Sequence, residues 1–203
     1  MSKPIFVTGI GTGVGKTIVA AILVEKLKAD YWKPVQAGDL DQSDTITVKS
    51  LVSNSISHFH PEAYRLTQPY SPHKAAALDG IEIDPDKIIL PQTSNQLIIE
   101  GAGGLMVPLN SNFLMIDLIK KLDAEVALVS RNYLGSINHT LLSIDALNAR
   151  GIALRALIFN GNNDSFSEEL IERYTKETPV LRIPEIENFK KDEILSAANH
   201  IEL

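Results

Sequence analysis

Residues 9–17 read Gly9-Ile10-Gly11-Thr12-Gly13-Val14-Gly15-Lys16-Thr17, and this stretch decides the fold. It follows the apolar run Ile5-Phe6-Val7 and opens into Ile18-Val19-Ala20-Ala21-Ile22-Leu23. A glycine-rich turn between a strand and a helix lets backbone N–H groups point inward at an anion, because glycine tolerates positive φ and has no Cβ to block approach. A helix beginning at Lys16 adds the positive end of its dipole. In that context Lys16 reaches the β- and γ-phosphates of a nucleotide, and the Thr17 hydroxyl is placed to hold Mg2+. One detail departs from the common G-x-x-x-x-G-K-[ST] spacing: position 10 is Ile10, and the first glycine stands one residue early, at Gly9. The dinucleotide fingerprint G-x-G-x-x-G fails in both registers, with Val14 or Lys16 where its third glycine belongs, so the loop suits a triphosphate.

Outward from the loop, short apolar runs recur at Tyr31–Val35, Leu97–Ile99, Val126–Val129, Leu154–Phe159 and Val180–Ile183. Amphipathic segments separate most of them. Residues 16–29 place Val19, Ile22, Leu23 and Leu27 on one helical stripe with Glu25, Lys26 and Lys28 outside it, and residues 137–149 and 166–175 repeat the pattern. Strands without polar alternation, joined by helices, predict a mostly parallel sheet covered on both faces, an α/β three-layer sandwich of the P-loop NTPase kind. Ligands of such sheets bind at the carboxyl ends of the strands. The polar clusters sit just there: GTGVGKT, KPVQAGD, EGAGG, RNYLGSINH and NGNN each accompany the end of an apolar run. Residues 54–91, with prolines at 61, 69, 72 and 85, read as a long loop with short helices over the sheet edge.

The length of 203 residues fits one domain over residues 1–203. A net charge of −6 leaves no basic footprint for nucleic acid or an anionic membrane, so anions must be gripped locally by a few lysines and backbone amides. There is no cysteine, which excludes disulfides, thiolate metal sites and a cysteine nucleophile. No apolar run approaches the ~20 residues of a membrane span and no signal peptide is visible, so the expected location is cytoplasmic.

Lys33, at the mouth of the second strand, brings a second positive charge toward a γ-phosphate if that strand lies beside the loop. The stretch Asp39-Leu40-Asp41-Gln42-Ser43-Asp44 fails as a calcium loop, since Asp44 stands at the sixth position and Ser50 at the twelfth. Asp39 and Asp41 read as turn and helix-cap residues, whereas Asp44 is able to face Mg2+. Glu100 ends an apolar strand before the glycine turn Gly101-Ala102-Gly103-Gly104. P-loop proteins place a second magnesium-holding acid at such a position, and a carboxylate buried there needs a cation or a hydrogen-bonding partner. His58 and His60 have no third metal ligand in view, and His73 and His139 read equally as site or structural residues. Neither a Ser-His-Asp constellation nor a G-x-S-x-G elbow is present.

Taken together, the stretches FVTGIGTGVGKT, WKPVQAG, QSD, SPHKAA, IIEGAGGLMVPL, LGSINHTLL and NGNN resemble the dethiobiotin synthetases, ATP- and Mg2+-dependent cyclo-ligases of biotin biosynthesis. The likeness runs nearly end to end, and that family's loop carries the early glycine found at Gly9. It implies a seven-stranded-type P-loop domain working as a homodimer on small-molecule substrates: ATP, CO2 or bicarbonate, and 7,8-diaminononanoate. By motif, Thr12 and Gly13, Val14, Gly15, Lys16, Thr17 and Ile18 would hold the triphosphate, aided by Gly101, Ala102 and Gly103 beside Glu100. Thr17, Asp44 and Glu100 would hold magnesium. Lys16 and Lys33 would be the catalytic lysines, stabilising charge on the transferring phosphoryl and the substrate carbamate. Asn160 with Gly161 matches the adenine-reading position, and Pro184, Glu185 and Ile186 would close that pocket. Lys33 and the backbone of Ala37 would contact the diamine. Gly135, Ser136 and Asn138 would bind the substrate carboxylate across the dimer interface, a helix start being suited to an anion.

Two positions depart from the family's pattern, which commonly has an acidic residue at Gly13 and a hydroxyl at Ala37. Relatives among the cobyrinic acid diamide synthetases require a glutaminase with a cysteine nucleophile, which this chain lacks. The reading from another class is a nucleotide-switch ATPase of the partition and division-site type. Its signature lysine early in the loop would stand at Gly11.

Overall fold

The structure is a computed structural model and describes residues 2–175, 178–186 and 188–202. Strand β1, Ile5–Gly9, is buried along its whole length and runs into the glycine loop, after which α1 spans Lys16–Leu27. The chain continues through β2 (Asp30–Trp32), β3 (Val35–Ala37), α2 (Asp44–Leu51), β4 (Phe59–His60), β5 (Tyr64–Leu66) and α3 (Pro72–Leu78). The second half holds β6 (Leu97–Gly104), α4 (Met115–Lys121), β7 (Glu125–Ser130), α5 (Ser136–Ala149), β8 (Leu154–Asn160), α6 (Ser165–Thr175), β9 (Val180–Ile183) and α7 (Lys191–His200).

Seven strands form one sheet in the order β4-β2-β6-β1-β7-β8-β9, and every pairing in it is parallel. Side chains that alternate along β1 enter two separate cores. Phe6 faces a cluster built with α3, α4, α5 and α6, while Ile5 and Val7 face one built with α1, α2 and α7. The result is the three-layer sandwich the apolar runs predict. The chain leaves β1 in one direction toward β2 and leaves β6 in the other toward β7, so the crevice beside β1 is the switch point where such sheets bind ligands.

Three expectations need correction. The run Tyr31–Val35 is two strands: Lys33 and Pro34 interrupt it, and β3 leaves the main sheet to pair with β5 in a separate parallel ribbon. Residues 54–91 therefore carry two short strands as well as a helix; their brevity and prolines hide the pattern. Helix α1 is buried almost all round, Glu25 included, because α2 and α7 pack on the side left for water. The Glu25 carboxylate accepts from the backbone N–H groups of Ser53 at 2.5 Å and Asn54 at 3.2 Å. Asp39 starts the 3-10 turn Leu40–Gln42, which holds Asp41, in keeping with the turn reading, while α2 is capped by Ser43, whose hydroxyl accepts from Ile46 N at 3.4 Å.

The edge of the sheet away from the glycine loop hangs on one buried carboxylate. Asp30 accepts from Thr93 Oγ1 (2.6 Å), Asn95 Nδ2 (2.9 Å) and His58 N (2.9 Å), with His60 Nε2 at 3.3 Å. Burial alone would raise its pKa, but these donors outweigh burial and hold it at about 2 against the usual 3.8. A carboxyl depressed in the folded state stabilises it above the unfolded pKa and loses that contribution as pH falls through the folded one. Acid titration followed by circular dichroism should therefore show stability falling from about pH 4 toward pH 2, with a shallower slope in Asp30→Asn. Asp30→Ala, which strands the donors, should cost about 2–4 kcal/mol in a urea melt.

Candidate active site

Two glycines explain the shape of the loop. A Cβ at Gly9 would lie 2.5 Å from Val14 Cγ2 and 2.8 Å from the Gly11 carbonyl, so the early glycine is required by the way the loop folds back on β1. Gly15 has φ 91° and begins α1; a Cβ there would lie 2.1 Å from Asn160 Nδ2. That amide donates to the Val14 carbonyl at 2.9 Å and so ties the end of β8 to the loop.

At the carboxyl ends of the central strands lies a cavity of about 810 Å³. From the glycine loop it is lined by Thr12, Gly13, Gly15, Lys16, Thr17 and Ile18. The other strands and the residues that follow them contribute Lys33, Ala37, Glu100, Ala102 and Gly103, and the start of α2 contributes Asp44. Val14 is turned into the core, and Gly101 packs against the Phe6 ring on the opposite face of β6. Pro184, Glu185 and Ile186 line a second cavity of about 370 Å³ beside α7. The side chain of Glu185 reaches back to Arg131, which lines the main cavity, with Oε1 and Oε2 accepting from its guanidinium at 2.9 and 3.1 Å. Gly161 sits under that ion pair. Gly135, Ser136 and Asn138, at the start of α5, lie outside the main cavity.

The charged centre of the cavity is compact. Lys33, 4% exposed, sets its ammonium 2.5 Å from Asp44 Oδ2 and 3.2 Å from Glu100 Oε1. Glu100, 1% exposed, also accepts from Thr17 Oγ1 at 2.9 Å and Tyr31 O–H at 2.8 Å. Burial opposes the charge on Lys33, but Glu100 and then Asp44 outweigh it and raise its pKa. Burial dominates at Lys16, bringing its pKa down to about 8 despite the pull of Glu100, with Lys33 adding repulsion. The Lys16 ammonium donates to the Gly11 carbonyl at 3.0 Å, which folds it over the loop where an anion would sit. Tyr31, buried beside Glu100, has its pKa raised far beyond its usual 10 and stays a donor. Asp44 owes its place to Gln36, whose Oε1 accepts from Asp44 N at 3.2 Å while its Nε2 donates to Gly38 O at 3.0 Å.

Sequence reasoning did not single out Tyr31, Gln36, Arg131 or the cavity-lining Tyr70, Ser71 and Phe189. Arg131 was visible within the RNYLGSINH cluster; Tyr31 looked like any strand aromatic.

The loop, the switch point and the buried lysine–carboxylate cluster define a P-loop nucleotide-binding protein. Solved structures place the fold in the same class. They include a ParA family ATPase from Chlorobium tepidum (TM-score 0.60, 14% identity, 98% of this chain and 100% of that one). Another is the septum site-determining protein MinD complexed with Mg-ADP from Pyrococcus horikoshii (TM-score 0.58, 14% identity, 98% and 95%). A family model described as an AAA domain matches residues 3–193. Among curated relatives, the ATP-dependent dethiobiotin synthetase BioD of Christiangramia forsetii is 56% identical, covering 91% of this chain and 89% of that one. The protein of the same name from Cytophaga hutchinsonii is 48% identical over 97% and 95%. The chain belongs to the ATP-dependent dethiobiotin synthetase family.

Gly15→Ala should weaken nucleotide binding by about 100-fold or more, since it combines a left-handed backbone with a clash against Asn160. Equilibrium binding of a fluorescent ATP analogue, beside a thermal melt, checks it.

Proposed function

We propose that this chain makes dethiobiotin: it closes a cyclic urea from 7,8-diaminononanoate and CO2 at the expense of ATP, with residues 1–203 acting as one catalytic domain. The observation that carries the reading is the convergence of Lys16, Thr17, Lys33, Asp44 and Glu100 on one cavity in a chain 56% identical to a protein of that name. In the proposed sequence, one amine adds to CO2 and loses a proton, giving a carbamate. A carbamate oxygen attacks the γ-phosphorus and ADP departs. The second amine then attacks the carbonyl carbon of the carbamic–phosphoric anhydride, inorganic phosphate leaves, and the ring closes as that nitrogen gives up its proton.

None of these steps requires a protein nucleophile. Lys16 and the amides of residues 13–18 hold the β- and γ-phosphates, with Thr12 and residues 101–103 flanking them. Lys33 offsets charge on the carbamate and on the phosphoryl in flight. Such pre-set charges act strongly because the site is buried and no solvent must reorganise. Asn160 and Gly161, with Pro184, Glu185 and Ile186 across the Arg131 bridge, are the proposed adenine end. The backbone at Ala37 is the proposed diamine contact beside Lys33.

Magnesium fits the donor set: Thr17 hydroxyl, Asp44 and Glu100 carboxylates are hard oxygen ligands, and the Lys33 ammonium lying between the carboxylates supports a cation beside them. When bound, Mg2+ would neutralise charge on the β- and γ-phosphates. A homodimer is part of the proposal. Gly135, Ser136 and Asn138 can serve the substrate carboxylate from a second copy, and the adjoining exposed Tyr133 and Leu134 support a covered surface there. Among the described residues no helix is long and apolar enough to cross a membrane, and the cysteine-free chain suits the proposed cytoplasmic location.

Purified protein with Mg-ATP and bicarbonate should release phosphate only when 7,8-diaminononanoate is added. Lys16→Ala and Lys33→Ala should each cut that rate by roughly 100- to 1,000-fold. Slow release indifferent to the diamine would overturn the ligase reading in favour of a nucleotide switch.

A further inference from the structure

The two oxygens of Glu100 are held differently. Oε1 accepts from Thr17 Oγ1 at 2.9 Å and from the Lys33 ammonium at 3.2 Å, both of which line the cavity. Oε2 accepts from the Tyr31 phenol at 2.8 Å. Tyr31 lies outside the cavity lining, wholly buried among Val48, Ala29 and Ile98 in the core beneath α1. Tyr31 and Ile98 are paired across β2 and β6, and Glu100 follows Ile98 by two positions, so tyrosine and carboxylate project from the same face of the sheet. A carboxylate free to rotate would divide Thr17 and Lys33 between its oxygens. The phenol takes one oxygen out of that competition and turns the other toward the nucleotide.

We propose that Tyr31 is a positioning residue: its hydroxyl fixes the Glu100 carboxylate so that Oε1 faces the metal–nucleotide. Core packing alone would be served equally by phenylalanine, so the hydroxyl separates the two roles. With Tyr31 shut off from solvent, no water replaces the lost donor in a phenylalanine variant, and a buried acceptor stays unsatisfied. This inference rests on the reading of Glu100 as a magnesium-holding residue.

The test is AMP-PNP binding by calorimetry across a MgCl2 series, on full-length wild type, Tyr31→Phe, Glu100→Gln and the double variant. Tyr31→Phe should raise the Mg2+ concentration for half-maximal binding by about 10-fold. Binding in EDTA and KM for the diamine should stay unchanged while kcat falls. A Tyr31→Phe protein with lower melting temperature but wild-type Mg2+ dependence would overturn the proposal. If Glu100→Gln itself leaves the Mg2+ dependence unaltered, the reading of Glu100 fails and the proposal with it. If Glu100→Gln shifts it and Tyr31→Phe does not, only the role of Tyr31 is lost. In the double variant, an Mg2+ requirement equal to that of Glu100→Gln supports the role of Tyr31, and a further loss overturns it. Should Tyr31→Phe fold poorly, Tyr31→Met, which also lacks the hydroxyl but fills the core flexibly, decides: a raised Mg2+ requirement supports the proposal and a wild-type requirement overturns it.

Discussion

A carboxylate with almost no access to water cannot stand alone, and the centre of this molecule is arranged around that constraint. Glu100 lies in the buried part of β6 and is met by a hydroxyl from α1, a phenol from β2 and the ammonium of Lys33 just beyond it. Removing any one donor leaves the acid under-satisfied in a low-dielectric setting, where the penalty is large. The acid therefore holds the three elements in register as much as they hold it. Lys33 then reaches Asp44, drawing in the start of α2. One ionic centre thus sets where the glycine loop, the second strand and the helix after it come to rest.

That arrangement separates two lysines that look alike in sequence. Lys33 sits between two carboxylates and keeps its proton firmly; Lys16 sits deep in the loop with burial acting against its charge. An incoming polyanion would relieve Lys16 and find Lys33 already charged. The difference comes from placement: Lys33 follows β2, next to β6 and Glu100, whereas Lys16 leads α1 and leans on a backbone carbonyl.

The architecture was legible in residues 1–30 and in the apolar runs because the central runs are strands buried on both faces, and burial on both faces erases polar alternation; the edge strand β9, with Arg182 exposed, is less covered. The polar clusters were legible for a related reason: a parallel sheet brings all its carboxyl ends to one edge. What escaped has equally physical causes. The β3–β5 ribbon uses strands of three residues among prolines, too short to carry a period. Helix α1 read as amphipathic, but a second layer of helices covers its charged side, and Glu25 is kept by two backbone N–H groups. Tyr31 was invisible because its hydroxyl matters through a partner 69 positions away.

The contact between Asn160 and the loop has a consequence for how such a chain can change over time. The amide of Asn160 occupies the space where a side chain at Gly15 would lie, and it grips the carbonyl of Val14, 146 positions earlier. A larger residue at 15 is tolerable only if 160 shrinks, and a shrunken 160 lets go of the loop. Neither position can drift alone. Two sites far apart in the chain are thereby bound into a single heritable unit, the phosphate loop and the end of β8 altering together or staying as they are.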